Sequence, residues 1–160
     1  DLATSDEIEI LLELWQLYMH DLAEFRDLQV QPNGRFRDDR LRTYLSYDEH
    51  WPLVLRSDRE IVGFALVRKS QPETFVIGEF FIKTEFRRAG IGKSAVPQIL
   101  KIFAGNWEIP FQFENSRAAT FWREIVKDLG YEVSETSKAV FGNPELPHDV
   151  WLSFPTSKTQ

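Results

Sequence analysis

The segment Arg87-Arg88-Ala89-Gly90-Ile91-Gly92-Lys93-Ser94 constrains the fold more than any other feature of the chain. It stands where one hydrophobic pattern stops and another begins. Before it, Phe75-Val76-Ile77-Gly78-Glu79-Phe80-Phe81-Ile82 reads as an extended strand, rich in aromatic and β-branched residues. After it, Ile91, Ala95, Ile99 and Ile102 recur at helical steps, and the pattern predicts a helix over 91–103. Glycines let backbone N–H groups approach a ligand closely, and a helix N-terminus offers donors and a partial positive charge. Arg87, Arg88 and Lys93 add full charges. Together they form a cradle for a diphosphate.

Two common nucleotide motifs fail here. Gly92-Lys93-Ser94 imitates the end of GxxxxGK[ST], but that motif needs glycine at position 87, where Arg87 stands. No clear acidic strand end follows to hold Mg²⁺. The dinucleotide pattern GxGxxG is met by Gly90 and Gly92 only, with Ala95 in third place.

Around this loop the elements are legible. Ile8, Leu11, Leu12, Trp15, Tyr18, Met19 and Leu22 make one helical stripe, opened by a Thr4/Glu7 capping box. Gln31-Pro32-Asn33-Gly34 is a turn. A weaker helix is expected from about Asp38 to Asp48, with Leu41, Tyr44 and Leu45 inward. Leu53–Arg56 and Ile61–Val67 flank the hairpin signal 57–60 and, with Phe75–Ile82, suggest an antiparallel meander. After the loop helix come a strand over Trp107–Phe113, a helix over Ser116–Leu129 capped by Gly130, a strand starting at Tyr131-Glu132-Val133, and a last strand over Val150–Phe154. Alternating strands and helices imply crossover connections. No repeat or linker interrupts the 160 residues, which are expected to form a single domain, 1–160.

Composition removes several function classes. The chain has no cysteine, so a disulfide scaffold, a cysteine nucleophile and a cysteine-ligated metal are excluded, and no metal is expected. No apolar stretch approaches the roughly 20 residues of a membrane span, and no signal-peptide pattern opens the sequence. A soluble, cytoplasmic chain is the expectation. Net charge is −6, and residues 1–30 carry eight acids against Arg26 alone. Nucleic acid needs a basic footprint and is not an expected partner. The acidic start is a solvated helix face or a wall that attracts a cation.

At this point the residues resemble the GNAT acetyltransferase superfamily. Its pyrophosphate loop, Arg/Gln-x-x-Gly-x-Gly/Ala after the fourth strand, is matched by Arg87, Gly90 and Gly92. A second signature, Asn, Ala, Phe-Tyr and Gly-Phe, is similar to Asn115, Ala118, Phe121-Trp122 and Gly130-Tyr131. Gly63-Phe64-Ala65 resembles the family's third strand. The resemblance covers most of the chain from residue 8 and implies an α/β (α+β) fold. In it, a mixed, mostly antiparallel sheet carries helices on both faces and splays between its fourth and fifth strands. The family's first strand is missing or very short here, because only Asp1-Leu2-Ala3 precede the capping box.

The resemblance also implies acetyl-CoA as cofactor, held in that splay. A bulge in the fourth strand, at Phe80, Phe81 and Ile82, would free backbone groups for the pantetheine arm. The diphosphate would rest on Arg87, Arg88, Gly90, Ile91, Gly92 and Lys93, with Ser94 nearby. Asn115 would lie near the pantetheine, and Phe121 and Trp122 near the thioester, although both rings equally suit a core. Dimers occur in the family, so a homodimer is an expectation by analogy.

The implied reaction is direct attack of a primary amine on the thioester, as in an N-acetyltransferase. An alkylamine has a pKa near 10, so a base assists at neutral pH. Glu79, an acid in an otherwise apolar strand, is the candidate base; the alternative is an outward-facing or salt-bridged residue. The family's usual general acid is a tyrosine where Trp122 stands, and an indole is not a useful proton donor. Either the thiolate leaves without an acid, water supplies the proton, or another tyrosine does, with Tyr18 and Tyr131 as candidates. Tyr18, His20, Asp21 and Trp51 are the candidate acceptor-binding residues, and aromatics with acids suit a small cationic amine. Two other readings stand beside this one: a CoA-binding module without turnover, and an acetyltransferase for protein or peptide amines.

Overall fold

The Thr4/Glu7 capping box opens a 3₁₀ turn, Ser5–Glu7, with the Thr4 N–H donating to Glu7 Oε2 at 2.9 Å, and helix α1 (Ile8–Leu22) follows directly. The computed structural model describes residues 1–156. They divide into two compact units: residues 1–68 with 78–92, and residues 69–77 with those from 93 onward. The last four residues of the expected domain, 157–160, lie outside the described residues.

The first unit holds α1, α2 (Asp39–Ser46), β1 (His50–Ser57), most of β2 (Glu60–Gln71) and the later part of β3 (Thr74–Ile82). The stripe of α1 buries Leu11, Leu14, Trp15 and Met19. They form one core with Leu41 and Tyr44 of α2 and with Val54, Phe64, Leu66 and Phe81 of the strands. β1 and β2 pair antiparallel from His50↔Arg68 to Ser57↔Glu60, across a turn in which Asp58 takes φ 53°. A bulge interrupts the register between Leu55 and Arg56. The brief extended segment before α1 does pair: Leu2 bridges Leu53 antiparallel, and Ala3 N–H donates to Pro52 O at 2.9 Å. Gly63 is needed for packing, since a Cβ there would overlap the Phe81 carbonyl oxygen and stand 3.0 Å from Ile82 Cα.

The second unit contains the start of β3, most of α3 (Ile91–Leu100), β4 (Asn106–Gln112), α4 (Ser116–Asp128), β5 (Ser134–Lys138) and β6 (Asp149–Pro155). β3 pairs parallel with β4, the geometry a helical crossover produces. β6 pairs antiparallel with both β4 and β5. The strand order is β1-β2-β3-β4-β6-β5, a mixed and mostly antiparallel sheet, as expected. The β3–β4 register covers only Thr74–Val76 against Asn106–Glu108, which is the expected splay, because these are the family's fourth and fifth strands.

Four expectations need correction. Helix α3 ends at Leu100 instead of Phe103; beyond it the Ile102 N–H turns back to Ile99 O at 3.0 Å in a tighter three-residue bond. Its buried side is Val96, Ile99 and Leu100, while Ile102 is exposed. β4 stops at Gln112, leaving Phe113 exposed. Tyr131–Val133 is not a strand. β5 is the polar run Ser134–Lys138, exposed throughout, and it forms because its backbone pairs with β6. No burial pattern marks it in the sequence.

Candidate active site

Within the first unit, the later part of β3 carries Glu79, and the fold buries it to 8% exposure. A buried carboxylate is costly unless it is paired and hydrogen-bonded. Here both oxygens have partners. Tyr18 Oη donates to Oε2 at 2.5 Å, and Arg40 Nη1 lies 3.0 Å from Oε1. Burial, and then the negative charge of Glu79, push the Tyr18 pKa well above its ordinary value, so the phenol stays protonated and donates. The same two causes raise Tyr44 to about 12, and Tyr44 is also hydrogen-bonded to Arg68. A Cβ at Gly78 would run into Tyr44 Oη, so a glycine beside Glu79 lets this phenol lie against the strand.

Rings line the cluster. Tyr18 meets Phe64 edge-on at 5.5 Å and Phe81 at 5.9 Å. The Arg40 guanidinium sits 5.4 Å from the centre of the Trp15 ring. Sequence reasoning found Glu79 and Tyr18 but missed Arg40, Tyr44 and Arg68. Arg40 and Tyr44 are four residues apart on α2, on one helical face, which was the available signal.

The loop that follows β3 turns sharply before α3. Arg88 and Gly90 take left-handed φ of 61° and 78°. No atom lies within 4 Å of where a Gly90 Cβ would stand, so a side chain there would fill the open space above the loop. The first N–H groups of α3, from Ile91, Gly92 and Lys93, have no intrahelical acceptor. Donors of this kind could hold a diphosphate. Arg88, Lys93 and Ser94 are exposed, Ile91 is half-buried and Gly92 is buried. Arg87 is placed differently. Its Nε donates to Ile82 O at 2.8 Å, its Nη2 pairs with Asp21 Oδ2, and its guanidinium lies 5.5 Å from the Phe81 ring centre.

The acceptor candidates separate. Tyr18 is bonded to Glu79, Asp21 to Arg87, His20 is exposed, and Trp51 is half-buried in β1 opposite Val67. Of the strand residues proposed for the pantetheine, Phe81 is buried, and Phe80 and Ile82 are half-buried.

In the second unit, Asn115 caps α4, with its Oδ1 accepting from Ala118 N–H at 3.0 Å. The cap uses the oxygen and leaves the amide Nδ2 as the group that can donate outward. Trp122 is buried to 5% and meets the half-buried Phe121 edge-on at 4.9 Å. Tyr131 stacks on Phe154 at 5.2 Å. No described helix is long and apolar enough to cross a membrane.

The chain resembles solved structures over nearly its whole length. A GNAT-family acetyltransferase from Streptococcus agalactiae superposes with a TM-score of 0.73 at 14% identity, covering 99% of this chain and 95% of that one. A spermidine N-acetyltransferase mutant from Vibrio cholerae gives 0.67 at 10% identity, covering 99% and 95%. A GNAT-family acetyltransferase from Elizabethkingia anophelis with acetyl-CoA bound gives 0.57 at 13% identity, covering 74% and 83%. At such identities these likenesses show the fold alone. A search of curated proteins finds no match by sequence. The sequence profile of the Acetyltransferase (GNAT) family, however, matches residues 11–125, more than half of the chain and through both units. By this match the chain belongs to the GNAT acetyltransferase family, acyltransferases that use acetyl-CoA.

Proposed function

We propose that the protein is an N-acetyltransferase acting on the primary amine of a small cationic molecule, with Glu79 as its base. The observation that carries this reading is the buried Glu79 carboxylate, held on both oxygens and standing eight residues before the cradle. Acetyl-CoA, when bound, supplies an activated acetyl thioester. The chain's own residues do the rest. The N–H groups and charges of Arg88, Gly90, Ile91, Gly92, Lys93 and Ser94 would hold the diphosphate. Phe80, Phe81 and Ile82 would offer backbone groups to the pantetheine, and Asn115 Nδ2 a donor. Phe121 would give an apolar wall, while Trp122 is a core ring and supplies no proton.

Glu79 takes a proton from the acceptor ammonium, directly or through water, which makes the amine a nucleophile. Tyr18 keeps its own proton and, with Arg40, fixes the direction in which the carboxylate points. The excess of acids in residues 1–30 favours a cationic acceptor.

The test is release of free thiol from acetyl-CoA across a panel of polyamines, amino sugars, amino acids and peptide amines. Glu79→Gln is expected to lower kcat/KM about a hundredfold with acetyl-CoA affinity unchanged. Wild-type turnover by this variant would remove Glu79 as the base. Tight acetyl-CoA binding with no thiol release from any amine would favour a binding module instead. Turnover confined to the peptides would move the acceptor class to protein amines.

A further inference from the structure

We propose that Asp21 is a positioning residue of the cofactor loop, acting through Arg87. The inference rests on the placement of the diphosphate at this loop proposed above, and it concerns what sets the loop's shape. Arg87 opens the loop, yet its side chain turns back into the first unit. Its Nε bonds the Ile82 carbonyl five residues earlier, closing the end of β3 onto the start of the loop. Its Nη2 pairs with Asp21 in the last turn of α1, and the Phe81 ring lies under the guanidinium. Both side chains of the pair are only about a third exposed, so water screens them less than it would a surface pair. A guanidinium already bound to a carboxylate and a carbonyl brings little net charge to an anion. The exposed Arg88 remains to meet the phosphates, as does Lys93, whose pair with Asp128 is long, at 3.7 Å, and well exposed to water.

The placement of Asp21 on α1 adds a second consequence. Tyr18 and Asp21 are three residues apart and share a helix face. One bonds Glu79, and the other bonds Arg87. The last two turns of α1 therefore fix the candidate base and the cofactor loop together. A loop held in this way presents its N–H groups without a further ordering cost when the diphosphate arrives.

The test is calorimetric titration of the whole protein with acetyl-CoA at low and high salt, with each variant's fold checked by thermal melting. Asp21→Asn and Arg87→Gln are each expected to weaken binding about tenfold, and the double variant no more than about twofold beyond either, because both break one contact. Asp21→Glu should recover most of the affinity. Arg87→Lys keeps the charge but loses the two-sided fork, and should bind as weakly as Arg87→Gln. The salt dependence should stay at the wild-type slope in the Arg87 variants and flatten in Arg88→Gln. Wild-type affinity in Asp21→Asn, with a flattened salt dependence in Arg87→Gln, would make Arg87 a direct phosphate ligand and overturn the proposal. Additive losses would overturn it too. Gly90→Val separates the two layers: if it binds acetyl-CoA like the wild type, the diphosphate lies elsewhere, and the loop assignment fails along with the role of Asp21.

Discussion

The two compact units bury different things. The first encloses charge: Glu79 is nearly inaccessible, compensated by Tyr18 and Arg40, with Tyr44 and Arg68 beside it. The second encloses rings and aliphatic side chains. Phe75 stacks on Phe103 at 4.5 Å, Trp107 is fully buried, and Trp122, Ile125 and Val126 fill the inner side of α4. Its Arg123–Glu135 and Lys93–Asp128 pairs lie largely in water. Removing one partner of a buried charge is costly, whereas an exposed pair contributes little. A buried, paired carboxylate is a functional-site candidate as well as a structural one. In the proposed reading the first unit carries the acid–base work, and the second contributes part of the cofactor contacts on an apolar core.

This contrast can be broken by substitution. The largest effect is expected at Gly63, where a Cβ meets the backbone of Phe81. Gly63→Ala should cost about 3 kcal/mol in denaturant unfolding, because a strand and not a flexible side chain must move. A loss below about 1 kcal/mol would show that β3 relaxes easily, and that Glu79 is less firmly held than the packing implies.

Raising the pH tests the charge cluster next. The folded state favours the protonated Tyr44 phenol, whose pKa rises from 10 to about 12. Its contribution to stability is thus intact below pH 10 and is lost as pH climbs through about 12. In a tyrosinate absorbance titration, Tyr44→Phe should remove the step near pH 12. Since the buried Tyr18 also titrates late, loss of an ordinary tyrosine step near pH 10 instead would place Tyr44 in water.

Smaller effects belong to the second unit. Asn115→Ala removes the α4 cap and should cost about 1 kcal/mol, with Asn115→Asp retaining most of the stability. If Asn115→Asp also weakens acetyl-CoA binding, the amide Nδ2 has the role proposed for it. Arg123→Ala should change stability by about 0.5 kcal/mol or less, since both partners are nearly half exposed. A larger loss would point to the guanidinium contact with Phe111, at 5.5 Å, as the part that matters.

The loop and its flanks were legible because local chemistry fixes them. Glycine at 90 permits the left-handed turn, and Asn115 and Gly130 stand where caps belong. The stripe of α1 follows from helical spacing alone. β5 was not legible, because Ser134–Lys138 has no apolar alternation and becomes a strand only through its partner β6. The end of α3 differs from the spacing because hydrophobic residues recur to Ile102 while the backbone tightens into an Ile102–Ile99 bond beyond Leu100.

By itself, then, the sequence determined most of the elements, the glycine turn between β3 and α3, and the presence of an acid in an apolar strand. Each depends on residues adjacent in the chain or one helical turn apart. Tertiary structure decided which partners those groups take. Tyr18 and Glu79 are 61 residues apart, and Asp21 and Arg87 are 66 apart. No local rule pairs groups so distant. Packing α1 and α2 in one core with β3 made Glu79 a clamped carboxylate and turned Arg87 away from the open loop. Spacing records which charges a chain has, and only the packed core sets which of them are neutralised and which remain to act.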